Sequence, residues 1–436
     1  MEQTPIMIAI PQENEKIFCE VNGAISSYTL DKPISIGGEG IIYNATGGKV
    51  YKIYKQNRLT EYSISKLKAM INEAPTLDDN ICWPQGLVLE PSEKRVVVGC
   101  IMPRIDTHAN DVHTLDAFVN SIHYLSREWN WDRGHLVRLC TKIIETFRCL
   151  HKNDILMGDV NLSNILVRKN CDVYFIDTDS YQFKDFLCLV GIPEFVSPRI
   201  HRLEKSFDEI RRTIDDENFA IACLVFKILF LGSSPLPQGN IGDISDLLNH
   251  KFKFTCNTPV SHQDNLIWLN LTERMREAFI NVFTKEIYPS DDEWIDMLKE
   301  LFSYMCSNFL SNEIYPSQAI DSKDFGKIKF QKALCENCGS QYEIYPGSTE
   351  KLCSACQGIR YDNQRRIVKV RCKECGKVFT VNPWDTREID TEDILCPDCD
   401  ENSNLDKNDT VSDKKLEEIF NKIIKNLDAK DTEGMI

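Results

Sequence analysis

The sequence predicts an α+β fold. It opens as a β-sheet with one helix, continues as a mainly helical body, and ends in two small cysteine-rich ribbons and a helix. Three observations carry this. Short runs of β-branched residues punctuated by glycine crowd residues 1–105. Helical periodicity dominates from there to about residue 305. Eight of the 18 cysteines lie between 335 and 399 as four C-x-x-C pairs.

Composition bounds the reading. A chain of 436 residues suggests two to four domains, and a 42% hydrophobic share supports a sizeable core. No run approaches the roughly 18 apolar residues of a membrane span. The N-terminal MEQTPIMIAIPQENEK has no basic region before its short apolar stretch, so a secretory signal is not expected. The expectation is a soluble cytoplasmic protein. A net charge of −15 argues against bulk nucleic-acid binding. Ten cysteines scattered over residues 1–310 among apolar neighbours read as reduced core thiols.

In chain order, Ile6, Ile8 and Ile10 alternate weakly and Ile17-Phe18-Cys19-Glu20-Val21 follows, so one or two strands precede the first motif. That motif is ISIGGEGIIY, from Ile34 to Tyr43. Gly37, Gly38 and Gly40 between apolar runs suit a strand-loop-strand whose backbone N–H groups reach phosphate oxygens with no Cβ in the way. A plain hairpin turn has the same composition. Val50 to Tyr54 is a strand in which Lys52, among apolar neighbours, needs an anion or a sheet edge. Leu59, Ile64, Leu67 and Ile71 make 59–72 helical. Trp83–Leu89 and Val96–Arg104 read as strands, and 134–151 as an amphipathic helix ending in His151. Residues 219–230 are nearly all apolar and too short for a bilayer, so they form a buried core helix. Helices follow at 272–284 and 291–304, the second capped by Ser290 with Glu293 three residues on.

The informative stretch is Ile155–Asp179, ILMGDVNLSNILVRKNCDVYFIDTD. Ile165-Leu166-Val167 and Val173-Tyr174-Phe175-Ile176 around a polar turn read as a β-hairpin. It gathers Asp159, Asn164 and Asp177 at one end. These hard oxygen ligands suit Mg²⁺ and its phosphates, and an Asp there can orient a nucleophile. The same residue types also cap turns.

Asp159 and Asn164 in D-x-x-x-x-N spacing, then Asp177 where D-F-G has its Asp, resemble the catalytic and metal loops of protein kinases. The resemblance covers about residues 30–305, through GGEGIIY, VYKIY, WPQGLVL, VGCIMPRI, GDVNLSNILV, FIDTDSYQ, GIPEFVSP and YPSDDEW in kinase order. More narrowly, the chain looks like bacterial kinase-like proteins of tellurium-resistance and stress gene clusters. In that group a G-D-V-N-type loop replaces H-R-D, and zinc ribbons often follow.

The resemblance implies a bilobal protein-kinase-like domain over residues 1–305, with an N-lobe to about 105 and a C-lobe from about 106. It implies ATP and Mg²⁺ or Mn²⁺ as cofactors and a bacterial stress response as setting. Gly37, Gly38 and Gly40 would cover the phosphates, with Ile42 beside the nucleotide. Lys52 would hold the phosphates, paired with a helix glutamate. Glu61 is favoured for that pairing over Glu73. Ile101 and Met102 would lie at the adenine hinge. Asp159 would act on the acceptor hydroxyl, and Asn164 and Asp177 would hold the metal. Several positions depart from the family pattern. Ser35 stands at the first loop glycine, Met157-Gly158 at His-Arg, Asn161 at the lysine two residues after the catalytic Asp, Thr178-Asp179 after Asp177, and Arg199 at the Glu of A-P-E.

Cys335, Cys338, Cys353 and Cys356 have 14 residues between their pairs, and Cys372, Cys375, Cys396 and Cys399 have 20. Each set suits one tetrahedral Zn²⁺, giving ribbons over 331–360 and 361–400 after a linker at 306–330. Pairing within each ribbon is the simplest arrangement, and a cross-braced one uses the same eight thiols. Residues 360–377 carry seven Lys/Arg against two acids, which reads as a solvated charged surface or, if functional, as a face that docks an acidic protein or, less favoured, nucleic acid. A disordered linker at 401–412 precedes an amphipathic helix at 413–428.

The function expected is an ATP-dependent protein kinase acting on Ser/Thr hydroxyls, with ribbons for partner docking. The alternative is a pseudokinase scaffold. The resemblance also implies signalling partners such as a phosphatase and a von Willebrand-type domain protein, and no membrane.

Overall fold

The computed structural model describes residues 4–105, 112–237, 244–319, 331–344, 351–353, 356, 368–371 and 378–381. It divides into two compact units, Met1–Ser354 and Ala355–Ile436.

The first unit begins with strands β1 (Lys16–Val21), β2 (Ala24–Thr29), β3 (Pro33–Ile36), β4 (Gly40–Ala45) and β5 (Lys49–Tyr54). Helix α1 (Glu61–Asn72) follows, then β6 (Gly86–Leu89) and β7 (Val97–Pro103). The strands form one sheet in the order β2-β1-β6-β7-β5-β4-β3, with every neighbouring pair antiparallel. β6 and β7 are buried along nearly their whole length, as expected for strands covered on both faces. Thr60 and Ser63 close a capping box at the start of α1.

The helical body follows. It contains β8 (Val112–Thr114), α2 (Leu115–Asn120), α3 (Ile122–Glu128), α4 (Arg133–His151) and β9 (Ile155–Leu156). β10 (Ile165–Arg168), β11 (Val173–Phe175), β12 (Gln182–Phe183), α5 (Pro198–Leu203) and α6 (Ile214–Leu229) come next, then α7 (Ser245–Leu248), α8 (His262–Leu269), α9 (Glu273–Lys285) and α10 (Asp291–Cys306). The hairpin read from sequence is present: Ile165 pairs with Phe175 and Val167 with Val173. α6 is buried on nearly every face, and the Ser290–Glu293 capping box starts α10 as expected.

Two buried cores organise the unit. One lies against the sheet, around Ile53, Val88 and Cys100. The other fills the helical body, around Phe147, Phe226 and Trp294. α1 touches both, with Leu67 in the first and Met70 in the second. The residues directly after α10 stay on the helical body. Phe309 and Leu310 are buried there, and Asn312 caps the start of α4, accepting from the Gly134 N–H at 2.8 Å.

β13 (Gln331–Leu334) and β14 (Gln341–Ile344) form an antiparallel hairpin that carries the first cysteine pair. Of the second unit, β15 (Val368–Arg371) and β16 (Val378–Val381) are described and pair antiparallel. Cys372, Cys375, Cys396 and Cys399, the linker at 401–412 and the helix at 413–428 lie outside the described residues. Among the described residues, no helix is long and apolar enough to cross a membrane.

Candidate nucleotide and metal site

Lys52 is the centre of the site. It sits in β5 between β4 and β7, opposite Ile42 and Cys100, with 2% of its surface exposed. Its Nζ donates to Asp177 Oδ1 at 2.5 Å and to both oxygens of Asp179 at 2.8 Å. Glu39, from the glycine loop, lies 3.6 Å away. Burial alone would push this ammonium down, but Asp179, Asp177 and Glu39 together hold it well above its ordinary range.

The expected helix glutamate is not among these partners. Glu61 is exposed in the first turn of α1, where the helix dipole favours an acid, and Glu73 pairs instead with Lys184. The assignment of Glu61 to Lys52 is therefore corrected. Asp179 supplies the principal anion. The sequence held a signal for this in a second Asp two residues after the first, which the D-F-G comparison passes over.

Asp177 is positioned by its own backbone. It adopts φ 60°, ψ 34°, a left-handed conformation that Asp tolerates better than most residues. The Ile176 N–H donates to the Asn164 carbonyl at 2.9 Å, so the two metal-ligand candidates are tied together through the main chain. Thr178 Oγ1 donates to the Cys82 carbonyl at 2.7 Å and fixes the loop to the segment before β6. Carboxylate oxygens of Glu39, Asp177 and Asp179 lie within 4.8 Å of one another.

Asp159 follows a tight turn that requires glycine. Gly158 has φ 71°, and a Cβ there would meet Cys188 Cβ at 2.6 Å and Sγ at 2.9 Å. No other residue type fits. Arg212, just before α6, donates to the Gly158 and Val190 carbonyls, and its own carbonyl accepts from Gln182 Nε2 at 3.0 Å. It thus joins the catalytic-loop candidate to the following segment through protein groups alone. Sequence reasoning missed this arginine. Burial raises the Asp159 carboxyl above its ordinary value against the pull of Arg212, and its buried Oδ1 has no hydrogen-bond partner among the described residues.

Beneath the turn, Glu217 at the start of α6 accepts from the Gly158 N–H at 2.8 Å and from His151 at 2.8 Å. The other His151 nitrogen meets Asp291 at 2.7 Å. Burial works against charge on this imidazole, yet Asp291 and Glu217 push it up to about 10. Its contribution to stability is complete below the ordinary 6.5 and is lost as pH rises through 10. Replacing His151 by Gln leaves Glu217 buried without its cation, at a cost of about 3 kcal/mol near neutral pH. In urea unfolding at pH 6 and pH 10, the gap between wild type and variant should shrink at the higher pH. A gap equal at both would reject the charged pair.

Arg199, out of pattern at the A-P-E glutamate, is not idle. Its Nε donates to Asp216 Oδ1 at 2.9 Å, and Ser197 Oγ donates to the same carboxylate at 2.5 Å. The anchor of this segment is an ion pair with the start of α6.

The glycine loop lies between β3 and β4. Gly37 and Gly38 are exposed, and a Cβ on Gly38 would meet nothing within 4 Å. A Cβ on Gly40 would lie 2.6 Å from the Ile53 carbonyl oxygen, so Gly40 serves sheet packing. Ile101 is buried between β5 and β6, and its carbonyl accepts from the Gln85 N–H at 2.8 Å. Met102 is also buried and pairs with Val50.

The first cysteine set forms a cluster. The sulfurs of Cys335, Cys338, Cys353 and Cys356 lie within 4.8 Å of one another. Gly339, at φ 71°, closes the turn by donating its N–H to the Cys335 carbonyl at 2.9 Å. The N–H groups of Cys353, then Cys338 and Asn337, draw the Cys335 thiol down to about 6. Four convergent sulfurs, one already favouring thiolate, fit a tetrahedral zinc site.

No protein-family model matches the chain. Protein kinase YegI of Escherichia coli (strain K12) is 28% identical over 221 residues, which are 48% of this chain and 32% of that protein. Protein kinase YegI of Escherichia coli O157:H7 matches with the same identity and shares. The match spans about a third of the length of these curated relatives. Among solved structures, a Toxoplasma gondii specific rhoptry antigen kinase domain aligns with a TM-score of 0.44 and 11% identity, covering 67% of this chain and 88% of that one.

Proposed function

We propose that the chain, 28% identical over 221 residues to a protein named a protein kinase, is an ATP-dependent protein kinase acting on Ser/Thr hydroxyls, with its ribbons as docking modules. The observation that carries the reading is the Lys52–Asp177 contact beside the Asn164 backbone tie, with the Asp159 carboxyl close enough to feel the Asp177 charge. A divalent ion bound with ATP would spread the charge of the transferring phosphoryl group. Asn164 and Asp177 would hold that ion. Lys52 would share its ammonium between Asp177 and the nucleotide phosphates. The Asp159 carboxylate would accept the hydroxyl hydrogen bond and orient the nucleophile. A carboxyl raised by burial is also better able to take the proton.

Incubating the purified protein with γ-labelled ATP, Mg²⁺ or Mn²⁺ and generic protein substrates tests this. Label transfer supports it. A thermal shift with ATP but no transfer turns the reading to a nucleotide-binding scaffold. One observation favours that second reading: Asn161, where kinases carry a lysine, uses its side chain to accept from the Ser163 N–H at 2.9 Å and offers the γ-phosphate no cation.

The cysteine sets would hold two Zn²⁺ in structural sites. Mass spectrometry under native conditions should find two zinc ions on the wild type and one on Cys335→Ser. Equal zinc content in the two would remove Cys335 from the ligand set. A protein partner that docks on the ribbons is the expected role for this module.

A further inference from the structure

We propose that Asp179, and not a residue of α1, is the group that positions Lys52 for ATP, an inference that rests on the kinase reading above. In kinases the anion for this lysine comes from the helix after its strand. Here the charges are exchanged. The buried charged residue of α1 is Lys66, 6% exposed, with its Nζ 3.4 Å from the Leu187 carbonyl. Desolvation draws its ammonium down to about 8. A second cation facing the cluster cannot orient the first.

Asp179 has the geometry for that work. Both its oxygens accept from Lys52, and Oδ2 also accepts from the Tyr54 phenol at 2.6 Å. Lys52 and Tyr54 are two residues apart on β5 and so project from the same face of the strand. One carboxylate is thereby fastened to two successive inward side chains of the sheet.

The three acids around Lys52 also differ in access. The Asp179 side chain is 6% exposed, against 32% for Asp177 and 27% for Glu39. Asp179 has its oxygens filled by protein donors, whereas Asp177 opens to solvent and is free to share its oxygens. The structure thus divides two tasks between neighbouring acids. Asp179 is a positioning residue, and Asp177 remains the metal-ligand candidate.

Asp179→Asn is the test, read by kcat, the KM for ATP and the Mg²⁺ concentration at half-maximal rate. The expected result is a kcat lower by about 100-fold, with Mg²⁺ half-saturation unchanged. Tyr54→Phe, a milder variant that removes one holder of Asp179, should lower kcat about fivefold in the same pattern. Wild-type kcat in both variants, each checked for an unchanged melting curve, overturns the inference. So does a loss of rate with a raised Mg²⁺ requirement, which would make Asp179 a metal ligand. A wild type that neither binds nor uses ATP fails earlier and defeats the kinase reading itself.

Discussion

Replacing Asp177 by asparagine is expected to lower phosphoryl transfer by about 10³-fold and leave the fold intact. Asparagine is the right variant for a conformational reason. Asp177 sits at φ 60°, where asparagine is at ease and alanine costs about 1–2 kcal/mol, so an alanine variant would mix strain with chemistry. The side chain is 32% exposed, so no cavity opens. Lys52 keeps Asp179, so no buried cation is orphaned. What is lost is one negative oxygen at the point where, on the proposed reading, metal and phosphate would meet. The check is steady-state transfer from labelled ATP beside a thermal melt. Undiminished transfer would remove Asp177 from the metal role. A collapsed melt would show that its charge serves the fold.

Gly99→Ala is expected to destabilise the sheet by more than about 3 kcal/mol and to disable nucleotide binding with it. Gly99 lies in β7 opposite Ile53 on one side and Val88 on the other. A Cβ there would stand 1.9 Å from the Lys52 carbonyl oxygen, 2.9 Å from its carbonyl carbon and 3.1 Å from Ile53 Cα. All three are backbone atoms, so no side chain can swing aside. The strand bearing Lys52 would have to leave its register. Gly38→Ala is the control, because a Cβ at that position meets nothing within 4 Å. Denaturant unfolding of the two variants should separate them clearly. Similar midpoints for both would show that β5 and β7 part more easily than their contact implies.

The elements were readable because their signals are local. Short apolar runs marked β1 and β5 to β7, the 3.6-residue period marked α1 and α4, and the Ser290–Glu293 cap marked a helix start, whereas the alternation of Ile6, Ile8 and Ile10 marked no strand. The hairpin that brings Asp177 beside Asn164 was legible for the same reason: two short strands and a polar turn determine it. The partners that reach across the chain were not legible. Asp179 is 127 positions from Lys52, and Arg212 is 54 from Gly158. No spacing rule links such pairs. A family pattern pointed to the helix for the anion, and Glu61 answered to an electrostatic preference of helix starts instead. Arg199 shows the converse. A residue that breaks the motif found Asp216, because an ion pair can anchor a segment with either sign on either side.

The placement of α1 bears on how the protein moves. Leu67 belongs to the sheet's core, and Met70, one turn on, to the core of the helical body. The Met70 carbonyl also accepts from the Trp83 indole at 2.9 Å. A helix wedged into both interiors cannot swing outward without emptying one of them. Deuterium uptake should report this directly, with α1 amides exchanging as slowly as the interior helices rather than as a loose flank.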